Sequence, residues 1–77
     1  MNNQFLRIDE PKYLNTQPLI NFKQKNNFSV EQLCDFCKVG ISVYYGFILN
    51  GHIKLSFLYR ISKATKIPIS DFFHPAF

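Results

Sequence analysis

Apolar residues return along this chain at helical spacing. Leu33, Cys34 and Cys37 do so in one stretch, and Leu55, Leu58 and Ile61, continued by Thr65, in another. Side chains three and four positions apart share one face of an α-helix, so each set predicts a helix with a buried stripe. Between them, Ile41-Ser42-Val43-Tyr44-Tyr45-Gly46-Phe47-Ile48-Leu49 is apolar almost throughout. That run predicts a helix as well, but no stripe in it stands out as the inner one.

The residues around these runs mark starts and stops. Ser29 with Gln32 three positions later forms a capping box, and Phe28 and Leu33 are spaced for a hydrophobic staple, which predicts a helix over 29–37. Lys38-Val39-Gly40-Ile41 is then a turn, with Gly40 free to take a positive φ. Ser42 is a suitable N-cap and Asn50-Gly51 a C-terminal signal, so the apolar helix is expected over 42–50. A further helix over 55–65 places Arg60 and Lys63 outward and ends before Pro68. Ile69 to Phe73 makes a last short helical turn. Upstream, Thr16 as N-cap and Pro18 in the first turn predict a helix over 17–25, with Lys23 and Lys25 at its cation-favouring end. Asn26-Asn27 breaks it.

The expected class is all-α: five helical segments in one domain, residues 15–77, behind an N-terminal arm of residues 1–14. In the arm, Phe5, Leu6 and Ile8 form a β-prone patch that Pro11 cuts short. It is either unstructured or paired with a symmetry mate. The chain is 47% hydrophobic, too apolar for a disordered segment. Its nine Phe and four Tyr exceed what one core of this size holds. A homodimer is therefore expected, joined through the arm or through Phe72, Phe73 and Phe77.

Net charge is +4, spread along the chain without a run of one sign. That fits contact with nucleic acid and argues against a polybasic membrane patch. No apolar run approaches a membrane span, and Met1 to Phe5 lacks the basic and apolar regions of a secretory signal. A cytoplasmic setting, with no membrane partner, is expected.

The order of these signals resembles the phage repressor and Cro type of helix–turn–helix domain, the XRE family, over Phe28 to Phe73. The residues that carry the likeness are Ser29, Leu33, Cys34, Cys37 and Val39, then Asn50-Gly51, then Ile61-Ser62-Lys63-Ala64-Thr65-Lys66-Ile67-Pro68-Ile69-Ser70-Asp71-Phe72-Phe73. The last phrase is similar to the family's Ile-Ala-Lys-Ala-Leu-Gly-Val-Ser-Leu-Asp-Glu-Leu-Phe. The resemblance implies a lambda-repressor-like fold and a dimeric, sequence-specific transcriptional regulator that binds double-stranded DNA. It implies neither an enzyme nor a cofactor. One departure matters: the stretch from Leu33 to Asn50-Gly51 is one residue longer than the family norm. If the extra residue lies in the turn, Tyr45 and Ile48 face the core, and Ser42, Val43, Gly46 and Phe47 face the DNA groove. If it does not, Tyr44 and Phe47 turn inward.

On this reading the candidate DNA-binding residues are Lys38, His52 and Lys54 for phosphate, and Ser42, Val43, Tyr44, Gly46 and Phe47 on the reading helix. That helix has no charged residue, so apolar contact with the thymine methyl and the Ser and Tyr hydroxyls are its means of touching bases. Phosphate contacts would position it. An exposed apolar helix also suits a protein partner, as in an antirepressor or another phage-encoded inhibitor. Gly46 in mid-helix costs about 1 kcal/mol relative to Ala unless something packs closely against it. Cys34-Asp35-Phe36-Cys37 has Cys-x-x-Cys spacing. Zinc needs four ligands, and only His52 and His74 remain as candidates, so both cysteines are expected as reduced, buried and metal-free core residues.

Overall fold

The computed structural model describes residues 14–74. Among these, four α-helices follow one another: α1 Gln17–Lys25, α2 Val30–Cys37, α3 Ile41–Asn50 and α4 Leu55–Thr65. A 3-10 segment, Ile69–Phe72, follows α4. The described residues are all-α apart from isolated bridge positions: Leu14 pairs antiparallel with Phe73, and Lys54 is a further bridge residue. The 3-10 segment occupies the place of the last helical turn expected from sequence.

α2 begins as the capping box requires. The Ser29 hydroxyl accepts the Gln32 backbone N–H at 3.1 Å, and the Gln32 side chain accepts the Ser29 N–H at 2.8 Å. Two of the helix's four unpaired donors are thereby satisfied. At α1 the Thr16 side chain makes no cap; Asn15 instead accepts the Gln17 N–H at 3.1 Å. α3 starts one residue earlier than expected. Its N-cap is Gly40, and Ser42 lies inside the first turn without capping. Gly40 does not use its freedom either, since its φ is −76°.

Each helix is stopped by a left-handed residue: Asn27 after α1, Lys38 after α2, Gly51 after α3 and Lys66 after α4. At α1 and α2 the hydrogen bonds form a Schellman pair. Phe28 and Val39 donate back to Lys23 and Cys34, and Asn27 and Lys38 to Gln24 and Asp35. The positive φ expected of Gly40 thus falls on Lys38, because α2 unwinds as soon as its buried stripe ends at Cys37. A side chain in that conformation costs on the order of 1 kcal/mol, which only glycine escapes.

The core is one cluster. α1 gives Leu19; α2 gives Leu33, Cys34 and Cys37; α3 gives Tyr44 and Phe47; α4 gives Leu58 and Ile61; Phe72 joins from the 3-10 segment. The Phe47 and Phe72 rings meet edge to face at 5.9 Å. Phe72, expected at a dimer contact, is therefore interior. Leu14, expected in the arm, is also buried, and Asn15 donates its N–H to the Phe72 carbonyl at 2.7 Å. The rest of the arm lies outside the described residues, as does Phe77. Buried Thr65 is satisfied: its hydroxyl donates to the Ile61 carbonyl at 2.7 Å and accepts the Ile67 N–H at 3.3 Å. Phe22, Phe28 and Phe36 form a ring cluster between α1 and α2, with centroids 5.5 to 6.1 Å apart.

The left-handed stops give a direct test. Lys66→Gly should stabilise the domain by up to about 1 kcal/mol, and Gly51→Ala should destabilise it by a similar amount. Urea titration of both variants reads the two signs. A destabilised Lys66→Gly would show that residue 66 is not left-handed in solution.

Candidate functional site

α3 decides the site, because its inner face sets its outer one. Tyr44 is 8% exposed and Phe47 0%. Of the two registers open to the sequence, the one with Tyr44 and Phe47 inward is adopted. Phe47, expected on the groove face, cannot be reached from outside, and neither can most of Tyr44. Burial first, then the nearby Tyr45 and Cys34, push the Tyr44 phenol pKa upward. Opposite them lie Ser42, Tyr45, Gly46 and Leu49, related by steps of three and four residues, with Ile41 and Asn50 at the edges. Leu49 is 70% exposed, Tyr45 44% and Ile41 43%.

Beside this face is a notch of about 260 Å³. Ser42, Val43, Gly46 and Asn50 of α3 form one wall, and His52, Lys54 and Phe57 lie across from them. Gly46 has a physical reason to be glycine. A Cβ there would sit 3.3 Å from the His52 backbone carbonyl. The loop is held at that spot by Gly51 N–H to the Phe47 carbonyl, 3.0 Å, and by His52 N–H to the Gly46 carbonyl, 3.1 Å. Buried Ile53 anchors the next residue.

Phe57 links this notch to the rest of the cationic surface. The Lys54 ammonium is 5.9 Å from its ring centre and the Arg60 guanidinium 5.3 Å, so the ring lies between two cations. Arg60 Nη1 also donates to the Lys38 carbonyl at 3.1 Å. That carbonyl is at the end of α2, where the helix dipole favours a positive charge. Beyond it, Lys38, Arg60 and Lys63 with Phe36 line a second concavity of about 540 Å³. Glu31, Asp35 and Asp71 line neither hollow.

The structure therefore brings together five of the residues expected to contact DNA: Ser42, Val43, Gly46, His52 and Lys54. Lys38 lies in the second concavity. Tyr44 and Phe47 belong to the core. Sequence reading missed Asn50, Phe57, Arg60 and Lys63. Lys54, Phe57 and Arg60 recur at steps of three, a spacing that puts them side by side on a helix.

Cys34 and Cys37 are free thiols in the core, as their place in the apolar stripe implied. Burial raises both thiol pKa values, with Asp35 adding to the effect at Cys34 and Cys34 at Cys37. Cys37 is pushed up to about 11. A thiolate is the species that binds metal or reacts, and these positions oppose its formation. Among the described residues, no three His, Cys, Asp or Glu side chains gather around a common point. No helix among them is long and apolar enough to cross a membrane.

No family model, no curated protein and no solved structure matches this chain.

The thiols set a pH dependence. A folded-state pKa raised from 9.0 to about 11 means the native state holds its proton more tightly than the unfolded one. The resulting stability is complete below pH 9 and is lost as pH rises toward 11. Urea midpoints under reducing conditions should fall over that range. Cys37→Ala, measured against its own value at pH 8, should fall less. An equal fall in both proteins would remove Cys37 as a cause.

Proposed function

We propose that this chain is a DNA-binding domain of the phage repressor and Cro type, regulating transcription from double-stranded DNA as a homodimer. One observation carries the reading. His52 and Lys54 line the notch beside α3, Lys38, Arg60 and Lys63 line a second concavity between α2 and α4, and among the described residues no carboxylate lines either. A duplex presents a dense row of phosphates, and such a surface attracts it whatever its sequence. α3 would then enter the major groove while the flanking cations hold the backbones on either side.

Three local features support the fold assignment. α2 and α3 are joined by only Lys38, Val39 and Gly40. Gly51 takes the left-handed conformation directly after Asn50, where the family's reading helix ends. Lys66 is left-handed at the position where the family phrase has glycine. The 3-10 segment stands in for the fifth helix. On this reading the extra residue relative to the family lies outside the turn, in keeping with Tyr44 and Phe47 as the inward pair.

A second reading is favoured by the exposed Ile41, Tyr45 and Leu49: the same fold could present α3 to a protein instead of DNA. Self-association has its own support in Phe36 and Tyr59, large exposed apolar side chains outside α3. Sedimentation at high micromolar concentration should give a dimer. A monomer there would remove the homodimer from the proposal.

Salt titration separates the two readings. The wild type should bind even a random duplex at low salt, more weakly as salt rises. Lys54→Ala should weaken binding to every sequence alike and reduce the slope of log K against log salt by roughly 0.9. Failure to bind any duplex at low salt would sink the DNA reading, and pull-downs with α3 variants would then test the protein reading.

A further inference from the structure

We infer that α3 selects A·T-rich duplexes, and that it does so through the C5-methyl groups of thymine. The inference rests on the DNA reading above and narrows it to a class of ligand.

The argument starts from what α3 lacks. Guanine is read by a cation donating to O6 and N7, and cytosine by a carboxylate accepting from N4. α3 carries neither a cation nor a carboxylate. Its outward face offers Ser42, Tyr45, Gly46 and Leu49, with Ile41 and Asn50 at the edges. The Ser42 and Tyr45 hydroxyls meet either kind of base pair and so do not discriminate, which leaves two selective chemistries. Apolar side chains can cover the thymine methyl, and the Asn50 amide can pair with N6 and N7 of adenine. Both fall on A·T pairs.

The shape of the face suits the first of these. Leu49 and Tyr45 stand out from the helix, while Gly46 between them leaves a dip that the His52 carbonyl keeps free of a side chain. The apolar floor of the adjoining notch, Val43, Ile53 and Phe57, continues that dip. Charge then decides the occupant. A purely apolar protein surface would gain nothing from His52, Lys54 and Arg60 beside this face, whereas a duplex supplies methyl groups in the groove and phosphates at its rims. Covering one methyl group is worth about a fourfold change in affinity.

The test uses four duplexes of equal length at low salt, followed by fluorescence anisotropy: alternating d(AT), the same with deoxyuridine for thymidine, alternating d(GC), and the same with 5-methylcytosine. Deoxyuridine removes only the methyl group, and 5-methylcytosine adds it to an otherwise unfavourable duplex. d(AT) should bind more tightly than its deoxyuridine form by about fourfold for each methyl covered. Methylated d(GC) should bind more tightly than unmethylated d(GC). Leu49→Ala should shrink both ratios and leave the salt slope unchanged; its exposure keeps the fold out of question, and circular dichroism checks that. Equal binding of d(AT) and its deoxyuridine form overturns the inference. If both still exceed d(GC), selection works through groove shape and deformability, and the DNA reading survives without methyl recognition. Binding to none of the four overturns both.

Discussion

The edge-to-face contact between Phe47 and Phe72 fixes the orientation of the whole exposed surface. Once Phe47 is pinned, helical geometry turns Ser42, Tyr45 and Leu49 outward and sets Gly46 against the His52 carbonyl. Phe72 comes from the 3-10 segment and Phe47 from α3, so the contact ties the last described element to the middle of the domain. Losing the Phe47 ring would cost roughly 3–5 kcal/mol, a large share of what a domain this small can hold in reserve. Because that ring has no exposed atom, the outer face of α3 is as well defined as the core behind it.

Much of this was legible in the sequence, and the failures have physical causes. The capping box at Ser29 and Gln32 is a local reciprocal bond, so it is readable from a few residues. The stripes of α2 and α4 are readable because polar residues separate them. α3 has no such contrast. Its register depends on a ring that arrives about two dozen positions later, which no local pattern contains. The turn failed for a subtler reason. Glycine tolerates a positive φ, but where one occurs is set by the last buried residue of the helix, so it fell on Lys38 two positions before Gly40. At the candidate site, the nearness of Ser42, Val43, Gly46, His52 and Lys54 was legible because they lie on α3 or in the loop just after it. Phe57 and Arg60 were not, since their role depends on meeting Lys54 and the Lys38 carbonyl in space.

The cationic surface uses charges that also serve the fold. Arg60 holds the last turn of α2 and lies against Phe57, so it reaches any anion already oriented by two partners. An ordered guanidinium gives up less freedom on meeting a phosphate than a free one would. Lys38 and Lys66 show the opposite balance. Each accepts a strained backbone at a helix end, and each places a positive charge where the dipole of the preceding helix favours it.

Leu14 and Phe73 pair side by side, so the two ends of the described segment meet. The segment from Leu14 to Phe73 could be grafted into a surface loop of another protein, with only a short spacer at each end. It could equally be closed into a ring and reopened elsewhere, for example between α1 and α2, without parting any pair of core residues. The order of the helices along the chain is then a separate matter from their arrangement in space.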